Sequence, residues 1–184
     1  MKEILASSAS LAPVPVVLVS AGNMENSNIT TVAWTGIINS DPAMVYISLR
    51  PTRYSNSIIT QTKEFVLNLP SDNLVCEVDF CGTKSGKDID KYRECNFTKS
   101  HSNVISAPGI EECPINIECR VREVKHLGSH DLFISDIVST SVNKELLTET
   151  KRISYEKARI LTYADGKYFS NDKILAERGI CLKD

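Results

Sequence analysis

The sequence predicts a mainly β fold, a strand barrel with helical insertions, and three observations carry that prediction. Ile115, Ile117, Cys119 and Val121 alternate with Asn116, Glu118, Arg120 and Arg122, the period of a half-buried strand. Asp165-Gly166 stands between two short β-like runs, a strong hairpin signal. Further β-rich runs recur at short spacing with few helical patterns, which fits a barrel, because open sheet edges invite aggregation.

The elements follow in order. Residues 14–20 are rich in β-branched side chains and run into the turn Ala21-Gly22-Asn23, so they read as a strand. Residues 23–28 are polar and read as a loop. Residues 30–38 are again β-rich, and Asp41-Pro42 marks a turn. Residues 44–49 form a third strand, stopped by Pro51. A short helix is expected over residues 54–62 with Ile58 and Ile59 inward, then a strand over residues 64–69 ended by Pro70. Ser71 and Asp72 are N-cap candidates for a helix carrying Leu74, Val75, Val78 and Phe80, with Gly82 as its stop. Ser85-Gly86 is expected to open a second short helix through about Glu94. Gly128-Ser129 turns the alternating strand back into residues 132–141 as an antiparallel hairpin. Residues 160–163 and 167–170 flank Asp165-Gly166 as the last one.

Bulk properties narrow the function classes. The 184 residues suit one domain spanning 1–184, with no repeat, low-complexity tract or linker. An apolar fraction of 42% is ordinary for a globular protein long enough to bury a sizeable core. Net charge is −2, and the densest basic stretch, Lys84 to Arg93, is interleaved with Asp88 and Asp90, so no nucleic-acid partner is expected. Near the N-terminus Glu3 offsets Lys2, and Pro13 and Pro15 interrupt the apolar run, which argues against a signal peptide or a membrane span. The six cysteines form no CxxC pair and there are three histidines, so no metal site is expected. Free thiols in the cytoplasm are the default reading.

Seven stretches in this order give the chain a more specific character. They are Pro15-Val16-Val17-Leu18-Val19-Ser20, Asn28-Ile29-Thr30-Thr31-Val32-Ala33-Trp34 with the later Pro42, and Ser48-Leu49-Arg50-Pro51-Thr52-Arg53-Tyr54-Ser55. Phe65-Val66-Leu67-Asn68-Leu69-Pro70 and Cys81-Gly82-Thr83-Lys84-Ser85-Gly86-Lys87-Asp88-Ile89-Asp90-Lys91 follow. Gly128-Ser129-His130 and Tyr163-Ala164-Asp165-Gly166-Lys167-Tyr168-Phe169 close the set. Each stretch alone is weak, but together they cover nearly the whole chain. The chain resembles the flavin reductase-like family, close to its flavoredoxin branch. The resemblance implies an FMN-binding split β-barrel, a homodimer whose two subunits build each site, and electrons passing from NADH, NADPH or a protein donor through FMN to an acceptor.

Flavin mononucleotide poses three binding problems: a dianionic phosphate, a polar ribityl chain and a flat ring with donors and acceptors along one edge. The protein supplies orientation and electrostatics, because the cofactor carries the redox chemistry. Ser48, Leu49, Arg50, Thr52, Tyr54 and Ser55 form the candidate phosphate stretch. Arg50 offers a fork of donors, Thr52 and Ser55 add hydroxyls, and a helix starting near Tyr54 presents amides to an anion. On spacing alone the same residues read as a strand end, a Pro turn and a capped helix. Asn28, Thr30, Thr31, Val32, Ala33 and Trp34 are candidates for the ring wall, where small side chains let the backbone approach. Trp34 alone also reads as a core aromatic.

Cys81, Gly82, Ser85, Gly86 and Lys91 are candidates for a segment closing over the phosphate and ribityl end. The two glycines permit unusual backbone angles that let amides converge on an anion. The order of residues is not that of a P-loop. Two helices joined by a surface turn is the plainer alternative, with Lys84 and Lys87 solvated. Cys81 reads either as a redox-sensitive thiol or as a small packing residue. His130 is the candidate catalytic residue. The family often shows Gly-Asp-His there, with the histidine near the nicotinamide side of the flavin, whereas this chain has Ser129 in place of the acid.

Three functions compete: an NAD(P)H-dependent flavin or acceptor reductase, an FMN electron carrier served by a redox protein partner, and a flavin-free structural barrel. No GxGxxG fingerprint occurs, so a nicotinamide pocket would not be of Rossmann type. The missing acid at Ser129 leans toward the carrier, and the first two readings share one FMN site.

Overall fold

A computed structural model describes residues 1–171 and 173–181. Its framework is one seven-stranded antiparallel sheet. Strands β2 (Val17–Gly22), β3 (Ser27–Val32), β4 (Thr35–Ser40), β5 (Ala43–Leu49), β6 (Glu64–Leu69), β9 (Ile115–His126) and β10 (Asp131–Val142) stand in the order β3-β2-β6-β9-β10-β5-β4. A second sheet joins β1 (Val14–Pro15) to the hairpin β11 (Leu161–Ala164) and β12 (Lys167–Ser170). The pair β7 (Lys99–Ser100) and β8 (Gly109–Ile110) forms a third. The helices are α1 (Tyr54–Thr62), α2 (Val75–Thr83), α3 (Lys91–Glu94) and α4 (Tyr155–Ala158).

Strand β2 is the keystone. All six of its residues are buried, so it is covered on both faces, as its apolar start Val17-Leu18-Val19 requires. Val17 and Val19 point into a core with Val45, Ile47, Phe65 and Phe133, capped by Ile59 of α1. Val16 and Leu18 point the other way, onto Ile29 and the α2 residues Val78 and Cys81. Burying each large side chain stabilises by about 1.5–3 kcal/mol, so this double packing fixes both helices against the sheet.

The barrel is split rather than closed by hydrogen bonds, as the family resemblance implies. Its two edges are β3 and β4, which are consecutive in the chain. Only Ala33 and Trp34 separate them, and this corner draws the edges together. The run expected at residues 30–38 is therefore two strands with a corner between. The Trp34 carbonyl accepts from the Ser48 amide at 2.8 Å, pinning the corner to β5.

Most expected elements appear where the sequence puts them. Both α1 and β6 match their expected spans. Asp165 and Gly166 take φ of 48° and 74°, the left-handed pair a two-residue hairpin turn demands. Three expectations change. The helix expected from Ser85 to Glu94 shrinks to α3, because the Asp90 side chain caps it, accepting from the Tyr92 amide at 3.0 Å. Gly82 is no helix stop, since α2 continues to Thr83. Glu118, placed on the polar face by alternation, is buried, its carboxylate accepting from the Asn103 and Val104 amides at 2.7 and 2.8 Å. Among the described residues no helix is long and apolar enough to cross a membrane.

Candidate functional site

Two adjoining cavities open along the split. The larger, about 530 Å³, takes its floor from Thr30, Thr31, Val32, Ala33 and Trp34, and one side from Ser48, Leu49 and Arg50. His130, Tyr163 and Tyr168 provide the aromatic remainder. The smaller, about 330 Å³, lies between Asn28, the start of α1 and the segment 84–91. Thr30, Arg50 and Arg53 line both, so the cavities form one bent cleft. Their sizes sit within the range of small-ligand sites.

The smaller cavity is strongly cationic. Arg50, Arg53, Lys84 and Lys91 stand on its wall with the hydroxyls of Thr52, Tyr54, Ser55 and Ser85, and no carboxylate does among the described residues. No side chain caps the N-terminus of α1 there, so its first amides retain donor capacity. Asn28 donates to Ser55 Oγ at 2.7 Å, locking β3 to α1 beneath the cavity. Gly86 passes directly over this pair. A Cβ at that position would lie 1.8 Å from Asn28 Oδ1, so only glycine lets the segment close down. Gly82 serves α2 similarly, since its Cβ would come within 3.2 Å of the Thr31 side chain.

Lys91 is a buried strut. Its ammonium donates to the Ile29 carbonyl at 2.8 Å and to the Cys81 carbonyl at 2.7 Å, tying β3 to α2. Burial pushes its pKa down, with Arg53 adding to the effect. At the other end of the cleft, His130 stacks on Trp34 with ring centroids 4.4 Å apart. Burial, then the Arg50 guanidinium, lowers the His130 pKa. Ser129 Oγ lies 2.9 Å from His130 Nδ1. The acid after the histidine turns away: Asp131 binds His126 Nδ1 at 2.7 Å and Asn56 Nδ2 at 2.8 Å. Tyr168 donates to Asp79 at 3.1 Å, and burial with this contact pushes its pKa up to about 12.

Of the residues expected from sequence, all but Cys81 line the cleft. The Cys81 thiol is buried in the core beneath, so it does not line the cleft, and burial raises its pKa. Only its carbonyl takes part, through Lys91. Trp34 is half-exposed on the cleft wall and so is no core aromatic. Lys84 is exposed, as expected, and also borders the smaller cavity. Sequence reasoning missed Arg53, Asp79, Thr83 and the tyrosines Tyr163 and Tyr168. Arg53 lay within a quoted stretch, three positions after Arg50, and the tyrosines lay within the last one.

The split barrel thus carries a cationic cavity at one end of its seam and an aromatic, backbone-edged cavity at the other. The model of the flavin reductase like domain matches residues 9–172, and the chain belongs to that family. It is similar to flavoredoxin of Desulfovibrio vulgaris (Miyazaki F), 27% identical with a TM-score of 0.92 over 100% of both chains. It also resembles flavoredoxin from Methanosarcina acetivorans in fold, at 24% identity and a TM-score of 0.89 over 100% of both chains. An uncharacterized protein of Pyrococcus abyssi is 30% identical over 135 residues, 73% of this chain and 77% of that one.

Proposed function

We propose that the chain binds FMN along the seam and passes electrons from NADH, NADPH or a protein donor to an acceptor. The carrying observation is the junction of a cavity lined by four cations, with no carboxylate among the described residues, to an aromatic-walled one. The phosphate suits the first and the ring suits the second. When bound, the flavin supplies hydride acceptance and one- or two-electron transfer. Arg50 and Arg53 neutralise the phosphate, and the Ser55 and Ser85 hydroxyls bond it. Amides of residues 30–34 pair with the ring edge. His130, whose pKa is lowered by burial and then by Arg50, bounds the face where a donor approaches.

An absorbance spectrum of the purified protein, with mass analysis of the released ligand, tests this reading. Flavin bands with FMN released are expected, and a colourless protein that takes up no added FMN would overturn it. Electron transfer without a nicotinamide donor is the second reading, favoured by Ser129 standing where the family shows an acid. Stopped-flow mixing with NADH and NADPH separates the two. Reduction by either supports the reductase, and reduction by neither leaves the carrier.

The same reading includes a homodimer in the cytoplasm. Edge strand β4 exposes Ile37 at 70% and Ile38 at 47%, apolar surface that a second copy would cover. Light scattering on the FMN-loaded protein tests this, and a monomer mass would overturn it.

A further inference from the structure

Two thiols face each other beneath the cationic cavity. Cys81 Sγ in α2 and Cys95 Sγ at the C-terminal cap of α3 are 3.8 Å apart. The Cys95 amide donates to the Lys91 carbonyl at 3.1 Å, and the Lys91 ammonium donates to the Cys81 carbonyl at 2.7 Å. The two cysteines thus bracket the segment that carries Ser85, Gly86 and Lys91 over the cavity. Cys81 is buried and Cys95 is partly exposed, so Cys95 is the residue a reagent reaches first.

We propose that Cys81 and Cys95 form a reversible disulfide that fastens the two ends of this closing segment, so that thiol oxidation slows cofactor release. The slowing of release rests on the FMN reading above, whereas the staple itself does not. The oxidant is a low-molecular-weight disulfide. Cys95 loses its proton and attacks one sulfur of that disulfide, giving a mixed disulfide and releasing one thiol. Cys81 then loses its proton and attacks the Cys95 sulfur, releasing the second thiol. Two protein thiols are oxidised by two electrons, and one small disulfide is reduced to two thiols. The sulfurs close to the bonded distance of about 2.05 Å. Burial raises the pKa of both thiols, which slows the exchange and lets the state persist between redox changes. A loop held at both ends loses freedom in its open state, so the bound cofactor leaves more slowly.

The test uses the full chain, loaded with FMN and equilibrated with glutathione at graded ratios of oxidised to reduced form. Alkylation and peptide mapping locate any crosslink, with Cys76→Ser and Cys95→Ser as controls. Wild type and Cys76→Ser are expected to lose two hydrogens in a peptide pair joining residues 81 and 95, and Cys95→Ser is not. Trypsin cleavage after the exposed Lys84 or Lys87 should leave fragments joined until reductant is added. FMN release, followed by fluorescence, should slow by about threefold or more on oxidation. Absence of the crosslink at ratios where Cys76 becomes glutathionylated overturns the proposal. A crosslink with unchanged FMN release overturns its effect on the cofactor. If the protein binds no FMN, mapping and proteolysis still decide the staple, and only the cofactor reading falls.

Discussion

The Trp34 indole and the His130 imidazole stack with centroids 4.4 Å apart and planes 25° apart. This pair joins the corner between the barrel edges to the turn between β9 and β10. Trp34 is the only tryptophan, so its emission reports the charge on its partner. Burial and Arg50 hold the His130 pKa low. In a pH titration the emission change should therefore centre below the ordinary histidine value of about 6.5. The Arg50→Ala variant should move the midpoint up. A wild-type midpoint at or above the ordinary value would count against this environment. The linkage has a fixed sign. The unfolded chain takes up the His130 proton first as pH falls, so this group's contribution to stability declines through that window.

Arg50 borders both cavities. Replacing it with alanine removes a charge-assisted contact worth roughly 1.5–3 kcal/mol, a loss of about ten- to a hundredfold in FMN affinity. Fluorescence titration measures it, and an unchanged affinity means the phosphate does not use this guanidinium.

Gly86→Ala places a methyl against Asn28 Oδ1 and breaks the Asn28–Ser55 hydrogen bond. Overpacking of this kind costs about 1–3 kcal/mol. Urea unfolding should show that loss, and FMN binding should weaken with it. A variant as stable as the parent would mean that the segment relaxes outward freely.

Asp131 clasps His126 and Asn56, and the His126 hydrogen bond, then that from Asn56, holds its carboxyl below the ordinary aspartate value. Its contribution is present above the unfolded value and is lost as pH falls through the folded one. In denaturant melts at graded pH, Asp131→Asn should be less stable than the parent near neutrality. The gap should narrow as pH drops below about 4. A gap constant with pH would remove the carboxylate from the account.

Much of the fold was legible because local chemistry and tertiary context agree. The alternation from Ile115, the Asp165-Gly166 turn and the Pro stops after β5 and β6 all speak within a few residues. The site was legible through the ordered stretches rather than through any single residue. Arg53 escaped because its value depends on which way α1 begins, a matter of three dimensions. Cys81 does not reach the cleft because a stretch can line a site while one member turns into the core, and burial is not written in sequence neighbours. Glu118 broke the alternation because two distant amides, of Asn103 and Val104, came to meet it.

The corner at Ala33 and Trp34 bears on how such a barrel diversifies. These residues fall between the paired registers of β3 and β4, so their side chains belong to no cross-strand pair. Exchanging them reshapes the wall of the cleft while every rung of the ladder stays in place. The wall of the cleft can therefore change at this corner without a compensating change in the strand pairing that holds the fold.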